Sequence, residues 1–204
     1  MRLYHHPLSS NARRAVMTAL QLGTKVDLEV VNLAAGDQKR AEFLRMNPNG
    51  RVPVLDDNGF YLWESHAIMQ YLADKTPGQT VYPTDLQARA DVNRWLFWSA
   101  NHFTPAVSVL NWENVVKPFL GQGPAHPLEV QRGERLVMEC ARVLQGHLEG
   151  REWMCGDRMT LADIALCTPL AALETAKLPI TNPRILAWFE KMQALEIWKK
   201  TSLA

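Results

Sequence analysis

Residues 47–68 read NPNGRVPVLDDNGFYLWESHAI, and this stretch contains strand, turn and helix signals in direct succession. Two short apolar runs, 52–55 and 60–63, have the composition of β-strands. The dipeptide Asn58-Gly59 lies between them and favours the tight turn of a β-hairpin. From Ser65 onward, apolar residues follow at helical spacing. The stretch therefore predicts two antiparallel strands followed directly by a helix.

The chain before this stretch alternates between strand and helix signals. A strand is predicted over 3–5 and a helix over about 11–22, with Gly23 as its C-terminal cap. Residues 25–31 alternate between polar and apolar, which predicts a second strand with one buried face. A second helix is predicted over about 38–46. The resulting order, β-α-β-α-β-β-α, fits a thioredoxin-like domain with a mixed four-stranded sheet.

The chain after residue 78 gives no strand signal. Proline and glycine interrupt the pattern around residues 76–83, so we predict a thioredoxin-like domain over 1–78, a linker over 79–87 and an all-helical domain over 88–204. The helical domain starts with one stripe of mostly apolar residues, namely Val92, Trp95, Leu96, Ser99 and Phe103. The predicted fold class is therefore α/β plus all-α, ending in a C-terminal helical bundle.

Composition and charge argue against several classes of partner. The 204 residues are 47% hydrophobic, which is enough apolar material for a globular core. The 22 Lys and Arg residues balance 21 Asp and Glu residues, so no basic field would attract nucleic acid or anionic lipid. We therefore predict a small-molecule or protein partner, with no nucleic acid and no membrane.

The cysteines and the amino terminus indicate the cellular compartment. Cys140, Cys155 and Cys167 lie far apart and form neither a CxxC pair nor a metal-binding spacing. We interpret them as structural thiols in a reducing compartment, with no metal site. Residues 1–7 lack the apolar core of a signal peptide, so the predicted location is the cytoplasm.

Pro53 lies inside an apolar run, where it cannot donate a ladder hydrogen bond. One interpretation is a proline at the first residue of an ordinary strand. The other is a cis Val52–Pro53 bond that turns the Val52 backbone outward, where it would bind an extended peptide as an added strand.

Glu64 and Ser65 precede the helix predicted after the hairpin. A helix start offers unpaired amides and partial positive charge to a carboxylate, and Glu64 beside it would hold an ammonium. Together the two residues would bind an amino-acid head group. The alternative is a plain N-cap serine with an unrelated glutamate before it.

Ser9, Ser10 and Asn11 occupy the start of the first predicted helix, where thioredoxin-type redox proteins carry their CxxC motif. Without sulfur at this position, disulfide exchange by the protein itself is excluded there. A hydroxyl donor beside the helix start would instead lower the pKa of a thiol that belongs to the substrate. The alternative is a helix cap with a spare serine.

Three stretches together resemble the cytosolic glutathione transferases. Residues 47–55 resemble the family's segment through its cis-proline, and residues 62–68 resemble its Glu-Ser motif. Residues 159–165, MTLADIA, resemble its buried capping element, in which Thr160 and Asp163 bond each other's backbone amides. The resemblance implies a glutathione S-transferase of the serine type, similar to bacterial or theta and delta members.

The resemblance also implies which residues bind glutathione, here a substrate in a site without metal. Val52, beside Pro53, would pair its backbone with the cysteinyl part, and Glu64 and Ser65 would hold the γ-glutamyl end. Polar or charged side chains near the glycine carboxylate are implied at three positions: Gln38, Lys39 and Arg51. The alternative for Arg51 is a side chain that points into solvent.

The serine that activates the thiol has two candidates. Ser9 aligns with the serine of serine-type members, whereas Ser10 aligns with the cysteine of cysteine-type members, and Asn11 would add an amide donor. We favour Ser9. The activated thiol would then attack a hydrophobic electrophile or reduce a peroxide.

The second substrate is expected to bind in a pocket formed with the helical domain. The candidate residues are those on the first helix of that domain, which faces the glutathione site in this family: Ser99, Asn101, His102, Phe103 and Trp112. The alternative is that these residues belong to the helical core.

Other functions in the same family remain open. A non-catalytic binding or scaffold protein is one alternative, although it would not need the head-group site or the hydroxyl. A glutathione-dependent isomerase or dehalogenase is another. By family analogy we expect a C2 homodimer with a role in detoxification.

Overall fold

The computed structural model describes residues 1–202. The chain divides into two compact units between Tyr82 and Pro83, which lie within the predicted linker. The predicted linker is only partly a linker, because Val81 and Tyr82 are buried in the first unit.

The end of the chain departs from the predicted domain boundaries. From Leu195 onward the described residues group with the first unit and not with the helical unit. The last two residues of the predicted helical domain, 203 and 204, lie outside the described part of the chain.

The first unit has the predicted thioredoxin-like topology. Its strands and helices are β1 (Arg2–His5), α1 (Ser10–Leu22), β2 (Asp27–Val30), α2 (Ala41–Met46), β3 (Val54–Asp57), β4 (Phe60–Trp63) and α3 (Ser65–Asp74). The sheet order is β2-β1-β3-β4. β1 runs parallel to β2 and antiparallel to β3, and β4 runs antiparallel to β3, so the sheet is mixed.

Two turns in this unit form as the sequence predicts. Gly23 ends α1 in the left-handed conformation, with a φ of 65°, and its amide caps the helix. Asn58 and Gly59 both have positive φ, at 55° and 91°, and they connect β3 to β4.

Three elements differ from prediction. The alternating strand β2 has no buried face, because it lies at the edge of the sheet and all four of its residues are exposed. The helix predicted over 38–46 is split at Arg40, whose extended backbone separates a 3-10 turn, Asp37–Lys39, from α2. β3 begins at Val54 and not at Val52, since Pro53 cannot donate to the ladder.

Apolar side chains cover both faces of the sheet. On one face, α1 and α3 pack against Leu3 and Leu55 through their own apolar residues, chiefly Ala15, Ala19, Ile68 and Leu72. On the other face, Phe43 of α2 packs against Val54 and Val31. Packing on the two faces therefore fixes α1 and α3 on one side, and α2 on the other, relative to the ends of the strands.

The second unit, described by itself, contains helices and turns and no strand among its described residues. Its helices are α4 (Leu86–Trp98), α5 (Thr104–Asn111), α6 (Lys117–Phe119), α7 (Pro127–His147), α8 (Leu161–Cys167) and α9 (Pro183–Ala194). A final short helix, α10 (Glu196–Lys199), belongs to the first unit. Two π-helical segments, Ser99–Phe103 and Trp112–Val116, interrupt the run from α4 to α6.

The core of the second unit surrounds α8, whose seven residues are all buried. The capping pair predicted from the sequence is present at the start of α8. The Thr160 side chain accepts from the backbone amide of Asp163, and the Asp163 side chain accepts from the backbone amide of Thr160. Elsewhere α7 approaches α5 so closely at Gly133 that an added Cβ would lie 2.8 Å from the Leu110 side chain.

Candidate functional site

The strand register brings the predicted binding residues together at one end of the strands. Tyr4 in β1 pairs with Val54 in β3, and Val54 also pairs with Trp63 at the end of β4. The end of β2 pairs with the end of β1, Val30 with His5. The segments that follow β1, β2 and β4, and the segment that precedes β3, therefore lie at the same end of the strands, and this end is called the strand edge.

The start of α1 carries the two candidate serines. Ser9 is the N-cap, and its Oγ accepts a hydrogen bond of 3.2 Å from the amide of Ala12. Its hydroxyl hydrogen is still available to donate, because capping uses only an oxygen lone pair. Ser10 is the first helical residue, and both serines and Asn11 are half-buried. The site can therefore present hydroxyl donors beside the positive end of a helix.

The start of α3 is open to an anion. Glu64 occupies the cap position but makes no side-chain capping bond, and Ser65 is the first helical residue. The alternative of Ser65 as an ordinary N-cap is therefore wrong. The first-turn amides of an uncapped helix have no partner within the helix, so they suit a carboxylate. Ser65 is buried, whereas Glu64 is exposed.

The segment before β3 has the cis Val52–Pro53 bond that one sequence interpretation expected. Val52 precedes the first ladder residue of β3, and in the described structure its backbone makes no hydrogen bond to another backbone group. The loop before it is held by buried Asn47, whose Nδ2 donates to the carbonyl of Arg51 at 2.7 Å. Asn47 was not among the residues to which the sequence assigned a role.

Gln38 lies close to the same loop, whereas Lys39 and Arg51 are exposed. Gly50 has a φ of 60°, and an added Cβ would lie 3.1 Å from the carbonyl oxygen of Gln38. That close approach connects the 3-10 turn to the loop before β3. The Oε1 atom of Gln38 is buried and accepts no hydrogen bond in the described structure.

The starts of α1 and α3 are joined by side chains that sequence analysis missed. Arg14 is completely buried, and its Nη1 lies 2.8 Å from Nε2 of His66. Burial, and then the positive charge of Arg14, lower the pKa of His66 to about 2. The imidazole is therefore neutral at physiological pH and accepts a hydrogen bond from the guanidinium.

Comparison with known proteins gives the family. Residues 1–74 match the family model "Glutathione S-transferase, N-terminal domain", and residues 106–196 match "Glutathione S-transferase, C-terminal domain". Glutathione S-transferase 3 of Zea mays is 33% identical over 211 residues, which cover 100% of this chain and 94% of the relative. The chain belongs to the glutathione S-transferase family.

Two further relatives agree with this assignment. Glutathione S-transferase F10 of Arabidopsis thaliana is 29% identical over 205 residues, covering 96% of this chain and 94% of the relative. The crystal structure of glutathione transferase URE2P8 from Phanerochaete chrysosporium, solved with oxidized glutathione, superposes with a TM-score of 0.88 and 26% identity. The match covers 98% of this chain and 92% of that one.

The predicted second-substrate residues of this transferase fall into two groups. Ser99 and Phe103 have no exposed surface, and Ser99 donates a hydrogen bond to the carbonyl of Ala165. Both belong to the helical core, so the prediction that they line a pocket is wrong for these two residues. The alternative interpretation, that the residues belong to the helical core, holds for these two because their side chains are part of the apolar stripe that packs the unit.

Asn101, His102 and Trp112 are exposed and remain candidates. His102 stacks on Trp98, and Asn101 donates back to its own helix at the carbonyl of Phe97. All three residues lie on the π-helical segments of the transferase. Such segments occur frequently at functional sites, and sequence periodicity did not predict them.

The first unit of the transferase also has a cavity that contains none of the predicted residues. Its volume is about 520 Å³, and the residues that line it include Tyr4, Val30, Arg40, Phe43 and Tyr61. The lining mixes acidic, basic and aromatic groups from β1, β2, β4 and α2, and it does not include either helix start. The cavity therefore does not coincide with the residues predicted to bind glutathione, and it shares Tyr4 and Val30 with the strand ends described above.

The other reactive groups include two buried cysteine thiols. Burial raises the pKa of the Cys140 thiol to about 11 and that of the Cys155 thiol to about 12, so neither is reactive at neutral pH. Within residues 1–202, no cluster of three or more His, Cys, Asp or Glu side chains is arranged to hold a metal ion. None of the helices in that range has the length and apolar character needed to cross a membrane.

Proposed function

We propose that this transferase binds glutathione along the strand edge and activates the glutathione thiol for attack on an electrophile. The observation that carries the proposal is the register in which Val54 pairs with both Tyr4 and Trp63. Because of that register, the two helix starts and the Val52 backbone share one edge, and an extended tripeptide can contact all three.

The γ-glutamyl end of glutathione is assigned to the start of α3. Its carboxylate accepts hydrogen bonds from the first-turn amides and from the Ser65 hydroxyl, while its ammonium pairs with Glu64. The lack of a side-chain cap on α3 supports this assignment, since the amides are open to a ligand. The oxidized glutathione in the structure of the relative URE2P8 adds support for the ligand.

The remaining peptide of glutathione is assigned to the loops beside α3. The Val52 backbone pairs with the cysteinyl residue next to Pro53, and the lack of a backbone partner for it among residues 1–202 supports this role. Gln38, Lys39 and Arg51 are assigned to the glycine carboxylate. The exposed cationic groups at positions 39 and 51 suit that charge.

Thiol activation is assigned to Ser9, with Ser10 as the second candidate and Asn11 as a further donor. A free cysteine thiol has a pKa of about 8.5, and hydrogen bonds to the thiolate together with a helix start lower it. A decrease of one pKa unit corresponds to about 1.4 kcal/mol and raises the thiolate fraction by up to about tenfold. This serine-type chemistry contrasts with the mixed disulfides that a cysteine here would form.

The reaction forms a carbon–sulfur bond. The thiolate supplies the electron pair to an electrophilic carbon, the leaving group departs with its own bonding pair, and the thiol proton passes to solvent. We assign the hydrophobic electrophile to the exposed residues Asn101, His102 and Trp112. We further propose that the transferase acts in detoxification as a cytoplasmic homodimer, by analogy with its family.

Two serine variants test the central assignment. Ser9→Ala and Ser10→Ala proteins are first checked for retention on immobilised glutathione, and the bound thiol is then titrated by its thiolate absorbance. We expect Ser9→Ala to move the titration midpoint upward by about one pH unit and to lower kcat about tenfold, with a smaller effect for Ser10→Ala.

The outcome for each serine distinguishes the hypotheses. A larger shift in Ser10→Ala assigns activation to Ser10. If neither variant moves the midpoint, thiol activation by serine is wrong. If the unmodified transferase binds glutathione but forms no conjugate with generic electrophiles, the binding-protein alternative replaces the catalytic one.

A further inference from the structure

The hydrogen bond between Arg14 and His66 spans the two helix starts to which the proposed function assigns the ends of glutathione. Arg14 lies one helical turn after Ser10 in α1, with 0% of its surface exposed. His66 is the second residue of α3 and directly follows Ser65. The distance of 2.8 Å between Nη1 and Nε2 is that of a good hydrogen bond.

In the hydrogen bond between Arg14 and His66, the chemistry of the guanidinium determines which side chain donates. A guanidinium can only donate, so Nε2 of His66 accepts and the ring carries its proton on Nδ1. With its pKa lowered to about 2, His66 stays neutral over the whole range in which the transferase can be assayed. The bond therefore has one donor and one acceptor throughout that range.

We propose that Arg14 and His66 are positioning residues that set the spacing between the thiol end and the γ-glutamyl end of bound glutathione. The inference rests on the proposed function. Because Arg14 is fully buried, it acts through the helix starts and not by contact with the ligand. A tripeptide anchored at Ser65 then presents its sulfur at the start of α1.

The apolar contact between the two helices explains why this bond is not needed merely to hold them together. Ala15, Ala19, Ile68 and Leu72 already pack α1 against α3. A buried guanidinium is a costly addition to such a contact, since charged groups lose their hydration on burial. The bond adds a fixed spacing at the helix starts, which apolar packing alone specifies less sharply.

Two substitutions at His66 separate the acceptor from the volume of the ring. His66→Phe keeps an aromatic ring but removes the acceptor, whereas His66→Gln keeps a neutral acceptor at a similar reach. In the full chain, we expect His66→Phe to raise the KM for glutathione about tenfold and to move the bound-thiol midpoint toward that of the free thiol. His66→Gln should stay within about threefold of the unmodified transferase.

A sulfur-free ligand distinguishes spacing from general loosening of the site. The probe is the glutathione analogue in which a methyl group replaces the thiol. In the unmodified transferase, glutathione should bind more tightly than this analogue above the thiol midpoint. In His66→Phe that advantage should largely disappear, while affinity for the analogue changes by less than about twofold.

Each outcome decides between the claims. Unmodified KM and midpoint values in a folded His66→Phe protein overturn the positioning role, as does an equal loss of affinity for both ligands. If His66→Phe does not fold, Arg14→Lys decides, because it keeps the charge but loses the guanidinium geometry, and an unchanged KM and midpoint there also overturn the inference. An unmodified transferase that does not bind glutathione refutes the proposed function instead.

Discussion

Glu64 combines an unfavourable backbone conformation with the charge that the proposed site requires. Its φ of 71° lies in the left-handed region that non-glycine residues rarely adopt. Such a conformation costs about 1–3 kcal/mol and is found most often at ligand sites and other functional positions. The side chain is exposed and makes no capping bond, so the folded protein gains little from it. Stability and glutathione binding should therefore respond in opposite directions when Glu64 is replaced by glycine.

We predict that Glu64→Gly makes the transferase about 1 kcal/mol more stable. Its affinity for glutathione should fall about tenfold or more, because the ammonium of the ligand loses a charged partner. Glycine adopts a positive φ without strain, and this gain exceeds the entropy that glycine adds to the unfolded chain. Denaturant unfolding measures the first effect and titration calorimetry the second.

Glu64→Gln is the matched control for this prediction. It keeps the side-chain size and the backbone strain but removes the charge, so affinity should fall with little change in stability. A Glu64→Gly protein that is destabilised by more than about 1 kcal/mol would show that the left-handed conformation carries no strain. Full affinity in both variants would remove Glu64 from the proposed site.

Single residues were predictable where local chemistry determines them. The positions of Ser9 and Ser65 at helix starts follow from the residues around them, and so does the Asn58-Gly59 turn. The bond between Arg14 and His66 joins residues 52 apart in sequence, so no local pattern indicates it. The burial of Ser99 is also a tertiary property, because it depends on the Ala165 carbonyl from another helix.

At the scale of one element, α8 depends on a single buried carboxylate. Asp163 has no exposed surface and accepts from the amide of Met154 at 2.9 Å, the amide of Thr160 at 2.8 Å and Nε1 of Trp188 at 3.0 Å. Burial raises the pKa of Asp163, and these hydrogen bonds act in the opposite direction. The carboxylate thus joins the preceding loop, the helix start and α9.

We predict that Asp163→Ala destabilises the transferase by about 4 kcal/mol, because three buried N–H groups lose their acceptor and each such loss costs about 1–3 kcal/mol. Asp163→Asn should cost about 1–2 kcal/mol, since its remaining oxygen can still accept from Met154 and Trp188. Thermal and denaturant unfolding of the purified variants provide the measurement.

Asp157 supplies the control for this comparison. It lies in the same loop region, but its side chain is 81% exposed and pairs with neighbouring Arg158. Asp157→Ala should change stability by less than about 0.5 kcal/mol. If Asp163→Ala were equally mild, the capping pair would be irrelevant to the stability of α8.

Elements were predictable when their periodicity and their ends agreed. α1, α3 and the β3–β4 hairpin have both apolar spacing and clear turn or cap residues, and they form close to the predicted positions. The polar–apolar alternation of β2 correctly indicates a strand but not its burial, because burial depends on a position at the sheet edge. The π-helical segments add one residue per turn without any change in composition, so the sequence does not reveal them.

At the scale of the whole chain, the first unit is built from both ends of the sequence. Arg13 in α1 donates to the Trp198 carbonyl at 3.1 Å and to Thr201 Oγ1 at 3.0 Å, and its guanidinium lies 3.7 Å from the centre of the Trp198 ring. Ile197 and Trp198 are both buried. The sequence of this last segment predicts one more helix of the bundle, as does the sequence before it. Its return to the first unit was therefore not predictable from the sequence.

The return of the chain gives a prediction about where stability is lost. Trp198→Ala removes a ring that is only 7% exposed and that packs under Arg13, so unfolding should become easier by about 3 kcal/mol. Because the segment belongs to the first unit, the amides of α1 should exchange faster with solvent deuterium, whereas those of α7 should keep their protection. Lys200→Ala, an exposed neighbour, should leave both the stability and the exchange of α1 unchanged. Faster exchange in α7 with unchanged α1 would instead mean that the end of the chain stabilises the helical unit.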